Sequence, residues 1–268
     1  MHSMDESEEE LSGGIAHPGE VVRVGDTVRR PAGPHTEAIF ALLRYLGEAG
    51  FDGAPRPLGL DQRGREMFTY IPGDVPITPF PAWSMSEEAL ASVGRLLRRY
   101  HDAVAGFDGS GFVWSDEMRD PRGGPIVCHA DICPENVVFR GGEALALLDF
   151  DFAAPGRVLW DVAATLGMWA PLREVKTRAA GMEDCDPIAR TRVFADAYGL
   201  TTVQRSELLD VVVDRRKSTF LERRAAAGEP LFVQMWQEQG GEPGTARLNE
   251  WLEANRAELQ GALGTGRT

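Results

Sequence analysis

Cysteine is sparse in this chain of 268 residues, and Cys128, Cys133 and Cys185 form an odd set without metal-finger spacing. That argues against a disulfide framework and against a structural zinc site. Long apolar runs are missing as well. No stretch approaches the roughly 20 residues that cross a bilayer. The N-terminus is acidic and polar where a secretory signal would be basic and then apolar, so a reducing cytoplasm is the expected location. Basic charge is in deficit, with 28 Lys and Arg against 41 Asp and Glu, a net of −13. Phosphates would be repelled, which argues against nucleic acid and anionic membrane as partners, whereas a cationic ligand would be drawn in. Lysine does not occur at all before Lys176.

A hydrophobic content of 43% is ample for a packed core, in one large domain or in two small ones sharing a cleft. Asp5, Glu6, Glu8, Glu9 and Glu10 crowd residues 1–10, which read as an acidic, solvated, flexible tail. Residues 11–73 read as short strands with one helix. Val21, Val22, Val24 and Val28 are β-branched, Gly25-Asp26 offers a hairpin turn, and Ile39, Leu42, Leu43 and Leu46 recur at helical spacing. Strands are expected near 56–60 and 66–71. Pro76, Pro79 and Pro81 make 74–83 a linker and the boundary between two lobes. Beyond it, 84–268 reads as a mainly helical lobe. Its first helix is expected over 84–106 with Ser84 and Glu87 as a capping box, and later ones over 207–224 and 247–263 with a loop at 240–244. Short strands are expected at 126–127, 137–140 and 144–148.

The chemistry is concentrated in Cys128-His129-Ala130-Asp131-Ile132-Cys133-Pro134-Glu135-Asn136, which has His, Asp and Asn at the spacing H-x-D-x-x-x-x-N, and in Leu148-Asp149-Phe150-Asp151 after a short hairpin. This is the layout of a phosphoryl-transfer loop. Such a transfer needs mainly positioning and charge neutralisation, with one carboxylate on the acceptor hydroxyl and oxygen ligands fixing Mg²⁺ on the nucleotide phosphates. Asp131 fits the first role, and Asn136 and Asp149 the second. His129 reads as a hydrogen-bonded structural histidine, since Asp131 already fills the role of base. Cys128 and Cys133, at i and i+5, do not match zinc spacings. Trp160, Trp169 and Trp236 read as core, and Glu183, Asp184 and Asp186 as a solvated loop.

In His129–Asn136, Leu148–Asp151 and Trp160-Asp161-Val162-Ala163 the chain resembles the aminoglycoside phosphotransferase family of the protein-kinase-like superfamily. Within it, a subset named for trifolitoxin immunity resembles the chain further, in Arg23–Pro31 and Asp149–Gly156. The resemblance implies an α+β bilobal protein-kinase-like fold, with a small N-terminal antiparallel sheet lobe carrying one helix and a larger, mainly helical C-terminal lobe. ATP would lie between them, with adenine against the backbone of Phe68, Thr69, Tyr70 and Ile71. It also implies that Asp151 lies near the metal, in a metal-binding or a structural role, and that Asp161 braces the catalytic loop from a helix start.

Two departures stand out. Where kinases carry a strand Lys on the nucleotide phosphates, this chain has Val28-Arg29-Arg30. The role is carried over to Arg29, with Arg30 as substitute, either being also readable as a solvated strand end; Glu37 is the helix carboxylate matched to it. Of the Gly-rich phosphate loop only Ser12-Gly13-Gly14 remains. The expected activity is ATP- and Mg²⁺-dependent phosphorylation of a small-molecule hydroxyl, on an aminoglycoside or another cationic or polyhydroxyl acceptor. The competing reading is a nucleotide-binding immunity module with little turnover. A protein kinase is disfavoured, because no Ala-Pro-Glu segment follows Asp149.

Overall fold

β2 (Val22–Val24) and β3 (Thr27–Arg30) pair antiparallel across the two-residue turn Gly25-Asp26. Gly25 takes the left-handed φ of 59° that such turns require. The computed structural model describes residues 8–11, 20–217 and 220–264. Ser12-Gly13-Gly14, most of the acidic tail and the last four residues lie outside that set. The end of the tail is not free: β1 (Glu9–Glu10) pairs with β2, and Glu8 bridges Arg63 and Arg65 at 3.1 and 2.9 Å. Its acidic side chains thus answer the arginines of the neighbouring turn, where composition alone read a solvated segment.

Helix α1 (Thr36–Glu48) buries Ile39, Leu42, Leu43 and Leu46, the face read from their spacing. β4 (Pro57–Leu60) and β5 (Glu66–Thr69) complete an antiparallel sheet in the order β1-β2-β3-β5-β4. Phe40 of α1 meets Phe68 of β5 edge-on at 5.5 Å. Residues 70–81 are irregular apart from a bridge in which Asp74 and Phe139 exchange backbone hydrogen bonds of 2.8 Å.

The next helix, α2 (Glu87–Val104), starts later than its capping-box reading. Ser86 is the N-cap, its Oγ accepting from the Ala89 N–H at 3.1 Å, while Ser84 lies in a preceding 3-10 turn and donates to the Pro81 carbonyl. β6 (Ile126–Cys128) leads into the His129–Asn136 loop and pairs with β9 (Ala154–Gly156). β7 (Val137–Arg140) and β8 (Glu143–Leu147) form a hairpin around Gly141-Gly142, both left-handed. After α3 (Val158–Trp169) come α4 (Pro187–Tyr198), α5 (Thr202–Lys217), α6 (Phe220–Ala226), α7 (Pro230–Glu238), α8 (Gly241–Ala254) and α9 (Arg256–Gly264). The expected loop at 240–244 is the start of α8. Gly240 caps it at φ 85°, and Pro243 falls in the first turn, where its missing N–H costs no hydrogen bond. Trp160 and Trp169 are core as expected, and Trp236 is half-buried.

The architecture is α+β and bilobal, an antiparallel sheet with one helix beside a mainly helical lobe. One buried cluster runs through both lobes, from Ile39 of α1 through Phe51, Tyr100 and Phe150 to Leu263 of α9. Among the described residues no helix is long and apolar enough to cross a membrane. Close packing of α2 on α4 rests on Gly94. A Cβ there would lie 3.2 Å from Ala197 Cβ and from the backbone of Phe194 and Tyr198. Gly94→Ala gains about 1 kcal/mol of helix propensity but loses about 1–3 kcal/mol to overpacking against a backbone with little room to yield. A lowered Tm is the expected result in thermal denaturation, and a raised one would show that the helices part freely.

Candidate active site

The His129–Asn136 loop leaves β6 through a backbone that few residues with a side chain adopt. Ala130 has φ 68°, and so, on the facing segment, does Asp149 at 57°. Each such residue costs about 1–2 kcal/mol, so the surroundings must hold it. For Ala130 the holder is Asp161, fully buried, whose Oδ1 accepts from the Ala130 N–H at 2.9 Å and whose Oδ2 accepts from the His129 N–H at 2.7 Å. His101 of α2 donates through Nε2 to the same Oδ2 at 3.1 Å, with its Nδ1 on the Tyr198 hydroxyl. Burial opposes the Asp161 charge, yet the hydrogen bond and charge of His101, with the His129 contacts, hold its carboxyl below the usual range. Asp161 is not the N-cap of its own helix. Arg157 takes that position, and Asp161, one turn in, caps the loop's amides.

His129 is fully buried and engaged at both nitrogens. Nε2 donates to the Leu148 carbonyl at 2.8 Å, and Nδ1 accepts from the Asp131 N–H at 3.3 Å. Burial pushes its pKa down, so the ring is neutral and fixes the spacing between the loop and the strand that ends at Leu148. Asn136 donates through Nδ2 to the Asp131 carbonyl at 2.9 Å and to Asp131 Oδ2 at 3.1 Å. The β7–β8 hairpin then returns the chain so that the Leu148 N–H reaches the Asn136 carbonyl at 2.8 Å. Asp149 thereby comes beside the loop.

Arg30 enters this group from the sheet. Its Nε donates to Glu66 Oε2 at 2.6 Å, Nη1 to Asp149 Oδ1 at 3.0 Å, and Nη2 lies 2.6 Å from Asp151 Oδ1. Burial works against the guanidinium, but the three carboxylates outweigh it and raise its pKa. Arg29, the first choice on sequence, is displaced from the site because side chains alternate along β3. Val28 and Arg30 line the cleft, whereas Arg29 lies 3.9 Å from Asp61. Glu37 is exposed at the start of α1. The carboxylate paired with Arg30 is instead Glu66, 2% exposed at its side chain, which sequence reasoning missed. Its signal was an acidic residue on the buried face of β5, in step with Phe68.

Between the lobes lies a cleft of about 380 Å³ lined by Phe68, Thr69, Tyr70 and Ile71 on one side and by Asn136, Asp149 and Asp151 on the other. Arg30 and Leu148 also line it. The carboxyls repel one another. Burial first and the Asp149 charge second push Asp131 up to about 7. The same two causes push Asp151 up to about 6, against the pull of Arg30. Cys128, Cys133 and Cys185 are all free thiols. Among the described residues no three His, Cys, Asp or Glu side chains converge as a metal cage. Asn136, Asp149 and Asp151 offer the cleft carboxylate and amide oxygens, hard donors of the kind that suits a cation completing its shell with phosphate and water.

Known proteins resemble the chain in the same parts. The phosphotransferase enzyme family matches residues 112–193, the stretch from the approach to the catalytic loop into α4. The trifolitoxin immunity protein of Rhizobium leguminosarum bv. trifolii is 30% identical over 258 residues, covering 91% of this chain and 94% of that protein. Among solved structures, a choline/ethanolamine kinase family protein from Mesorhizobium loti superimposes with a TM-score of 0.64 at 17% identity, covering 98% of this chain and 94% of that one. The GDP complex of wild-type aminoglycoside 2'-phosphotransferase-IIIa does so with a TM-score of 0.61 at 15% identity, covering 93% of both. A relative matched almost from end to end, together with a kinase-like fold around the His129–Asn136 loop, places the chain in the aminoglycoside phosphotransferase family of small-molecule kinases.

Proposed function

We propose that the chain transfers the γ-phosphoryl group of ATP to a hydroxyl of a small molecule, with Asp131 as catalytic base. The observation that carries this reading is an interlobe cleft lined by Asn136, Asp149 and Asp151, with Asp131 hydrogen-bonded to that Asn136 at 3.1 Å. Mg²⁺, held by Asn136, Asp149 and Asp151, would neutralise charge on the nucleotide phosphates. The backbone of 68–71 would receive the adenine. Asp131 orients the acceptor hydroxyl and takes its proton as the new O–P bond forms, while the bond to the departing ADP breaks. The Asn136 amide keeps the Asp131 carboxylate turned toward the acceptor. Arg30 stands in for the strand lysine, its planar fork spanning two oxygens where an ammonium offers a point charge.

A single lysine cannot span the three carboxylates that Arg30 reaches. Arg30→Lys should raise the KM for ATP by about tenfold, the loss of one charge-assisted hydrogen bond, in steady-state assays. An unchanged KM would remove Arg30 from the phosphate site.

Among acceptors, the aminoglycoside rests on the family resemblance alone, and the net charge of −13 is compatible with a cationic or polyhydroxyl compound. One observation favours the module with little turnover: Arg30 is bound directly to Asp149 and Asp151, the carboxylates that Mg²⁺ would need. Calorimetric titration of ATP with and without Mg²⁺, followed by a turnover screen over hydroxylated metabolites and antibiotics, separates the two. Mg²⁺-dependent binding with a phosphorylated product supports the enzyme. Binding without product on any acceptor supports the module.

A further inference from the structure

The peptide that joins Ala130 to Asp131 sets the direction in which the Asp131 side chain leaves the loop, and neither Asp161 nor Asn136 holds it. Asp161 accepts from the amides of His129 and Ala130, which belong to the two preceding peptides. Asn136 reaches the carboxylate and the carbonyl of Asp131, beyond that peptide. A peptide is planar, so the Ala130 carbonyl and the Asp131 N–H turn together. The N–H donates to His129 Nδ1 at 3.3 Å, outside the range of about 2.7–3.2 Å of well-formed N–H hydrogen bonds. The carbonyl accepts from Arg215 Nη2 of α5 at 2.6 Å, a short bond with a charged donor. Of the two holds on this peptide, that of Arg215 is the stronger.

Arg215 is itself fixed. Nη1 donates to the Met118 carbonyl at 3.0 Å, which also accepts from Trp160 Nε1 at 3.0 Å. The guanidinium carbon lies 5.1 Å from the centre of the Trp160 ring, within reach of a cation–π contact. α5 buries Leu208, Leu209, Val211 and Val212. The next residue, Arg216, donates to the carbonyls of Leu172 at 2.9 Å and Leu248 at 2.7 Å. The planar fork of Arg215 therefore joins two segments from an anchored helix end, a bridge that a point-like ammonium cannot make. Charge adds to geometry. Burial pushes the Arg215 guanidinium below its usual range, and the charges of Asp161 and then Asp131 oppose that shift, so the cation lies in the field of both carboxylates.

We propose that Arg215 is a positioning residue of the phosphotransfer site: through the Ala130 carbonyl it orients the Ala130–Asp131 peptide, and with it the Asp131 carboxylate, toward the acceptor. Arg215 touches no reacting atom. Its consequence for catalysis rests on the phosphotransferase reading, and its consequence for the loop on the hydrogen bonds alone. α5 thereby becomes part of the site, although Arg215 lies 85 positions from Ala130.

The test uses the full chain with ¹³C-labelled alanine. The ¹³Cα and ¹³Cβ shifts of Ala130 follow its backbone conformation, left-handed here at φ 68°. In Arg215→Ala they are expected to move toward the values of a freely rotating alanine, while those of Ala38 on α1 stay in place. A fold weakened in general would lower the Tm without a displacement confined to the loop. On the best acceptor of the turnover screen, kcat should fall about ten- to a hundredfold, the factor that one hydrogen bond to a charged group supplies. The calorimetric Kd for the nucleotide should keep its wild-type value. Arg215→Lys keeps a cation and an apolar stem against Trp160, and covers the case in which Arg215→Ala does not fold. Its ammonium cannot bridge both carbonyls, so a smaller displacement of Ala130 and a fall in kcat of about tenfold are expected. Ala130 shifts unchanged in the folded variants, kcat unchanged, or a nucleotide affinity that falls as far as kcat would each overturn the assignment. Absence of product from the wild type on every acceptor would sink the phosphotransferase reading instead, and the Ala130 shifts then decide alone whether Arg215 sets the loop.

Discussion

Asp131→Asn should bind Mg-ATP as tightly as the wild type and turn over about 10²–10⁴ times more slowly, the usual contribution of a positioned general base. The substitution is close in shape. An amide at this position can still present its oxygen to the Asn136 Nδ2, which now bonds Asp131 Oδ2 at 3.1 Å, so the loop keeps its course. What disappears is the ability to take a proton from the acceptor. Burial and the Asp149 charge already make the Asp131 carboxyl more basic than an ordinary one, at about 7, which suits a group that must accept a proton near neutral pH. The measurement is kcat on the best acceptor from the screen, beside a calorimetric Kd for the nucleotide. Equal kcat in the two proteins would remove Asp131 from the chemistry. Equal losses in kcat and in nucleotide affinity would make it a residue of the nucleotide site.

Asp161→Ala should be the most destabilising of the substitutions considered, by roughly 3 kcal/mol or more, since each buried donor left without a partner costs about 1–3 kcal/mol. Three donors depend on this one carboxylate: the amides of His129 and Ala130 and the Nε2 of His101. Its loss also frees Ala130 from its left-handed backbone, so activity in the remaining folded fraction should drop by loss of Asp131 positioning. Asp161 touches no reacting atom and acts through the loop. The conservative Asp161→Asn should restore part of the stability while leaving one loop amide without an acceptor. Acid stability tests the charge itself. The folded carboxyl has a pKa below its unfolded value of about 3.9, so its contribution is fully present above that value and is lost as pH falls through the lower folded one. Denaturant titrations between about pH 2 and pH 6 should show a shallower acid loss in Asp161→Asn than in the wild type. Parallel curves would mean that the carboxylate is no stronger an acid folded than unfolded.

The catalytic loop was legible in the sequence because its parts are neighbours along the chain. From His129 to Asn136 the spacing itself sets which side chains meet, and one hairpin with two left-handed glycines is enough to bring Asp149 back. The basic residue on the sheet was not legible to the same degree. Choosing between Arg29 and Arg30 requires the register of β3 on β5, in which Arg30 faces Glu66 directly. A one-residue slip would exchange the two faces of the strand. Glu66 escaped notice for a related reason: its partner is 36 positions away, and an acidic residue at a strand start usually means solvent. Caps and short breaks also evaded the pattern. Ser84 and Ser86 both precede an apolar stripe, and only backbone geometry selects Ser86.

Arg30 carries one more consequence, for how this protein is seen by reagents rather than by substrates. Acylating ATP analogues used to tag nucleotide sites react with a primary amine held near the phosphates. In the proposed site that position is filled by Arg30, a guanidinium whose three carboxylate neighbours keep it protonated and a poor nucleophile. Surveys of nucleotide-binding proteins built on amine capture would therefore pass over this chain even with its cleft fully occupied. An arginine-selective dicarbonyl, blocked by prior addition of nucleotide, is the reagent whose labelling would report that occupancy.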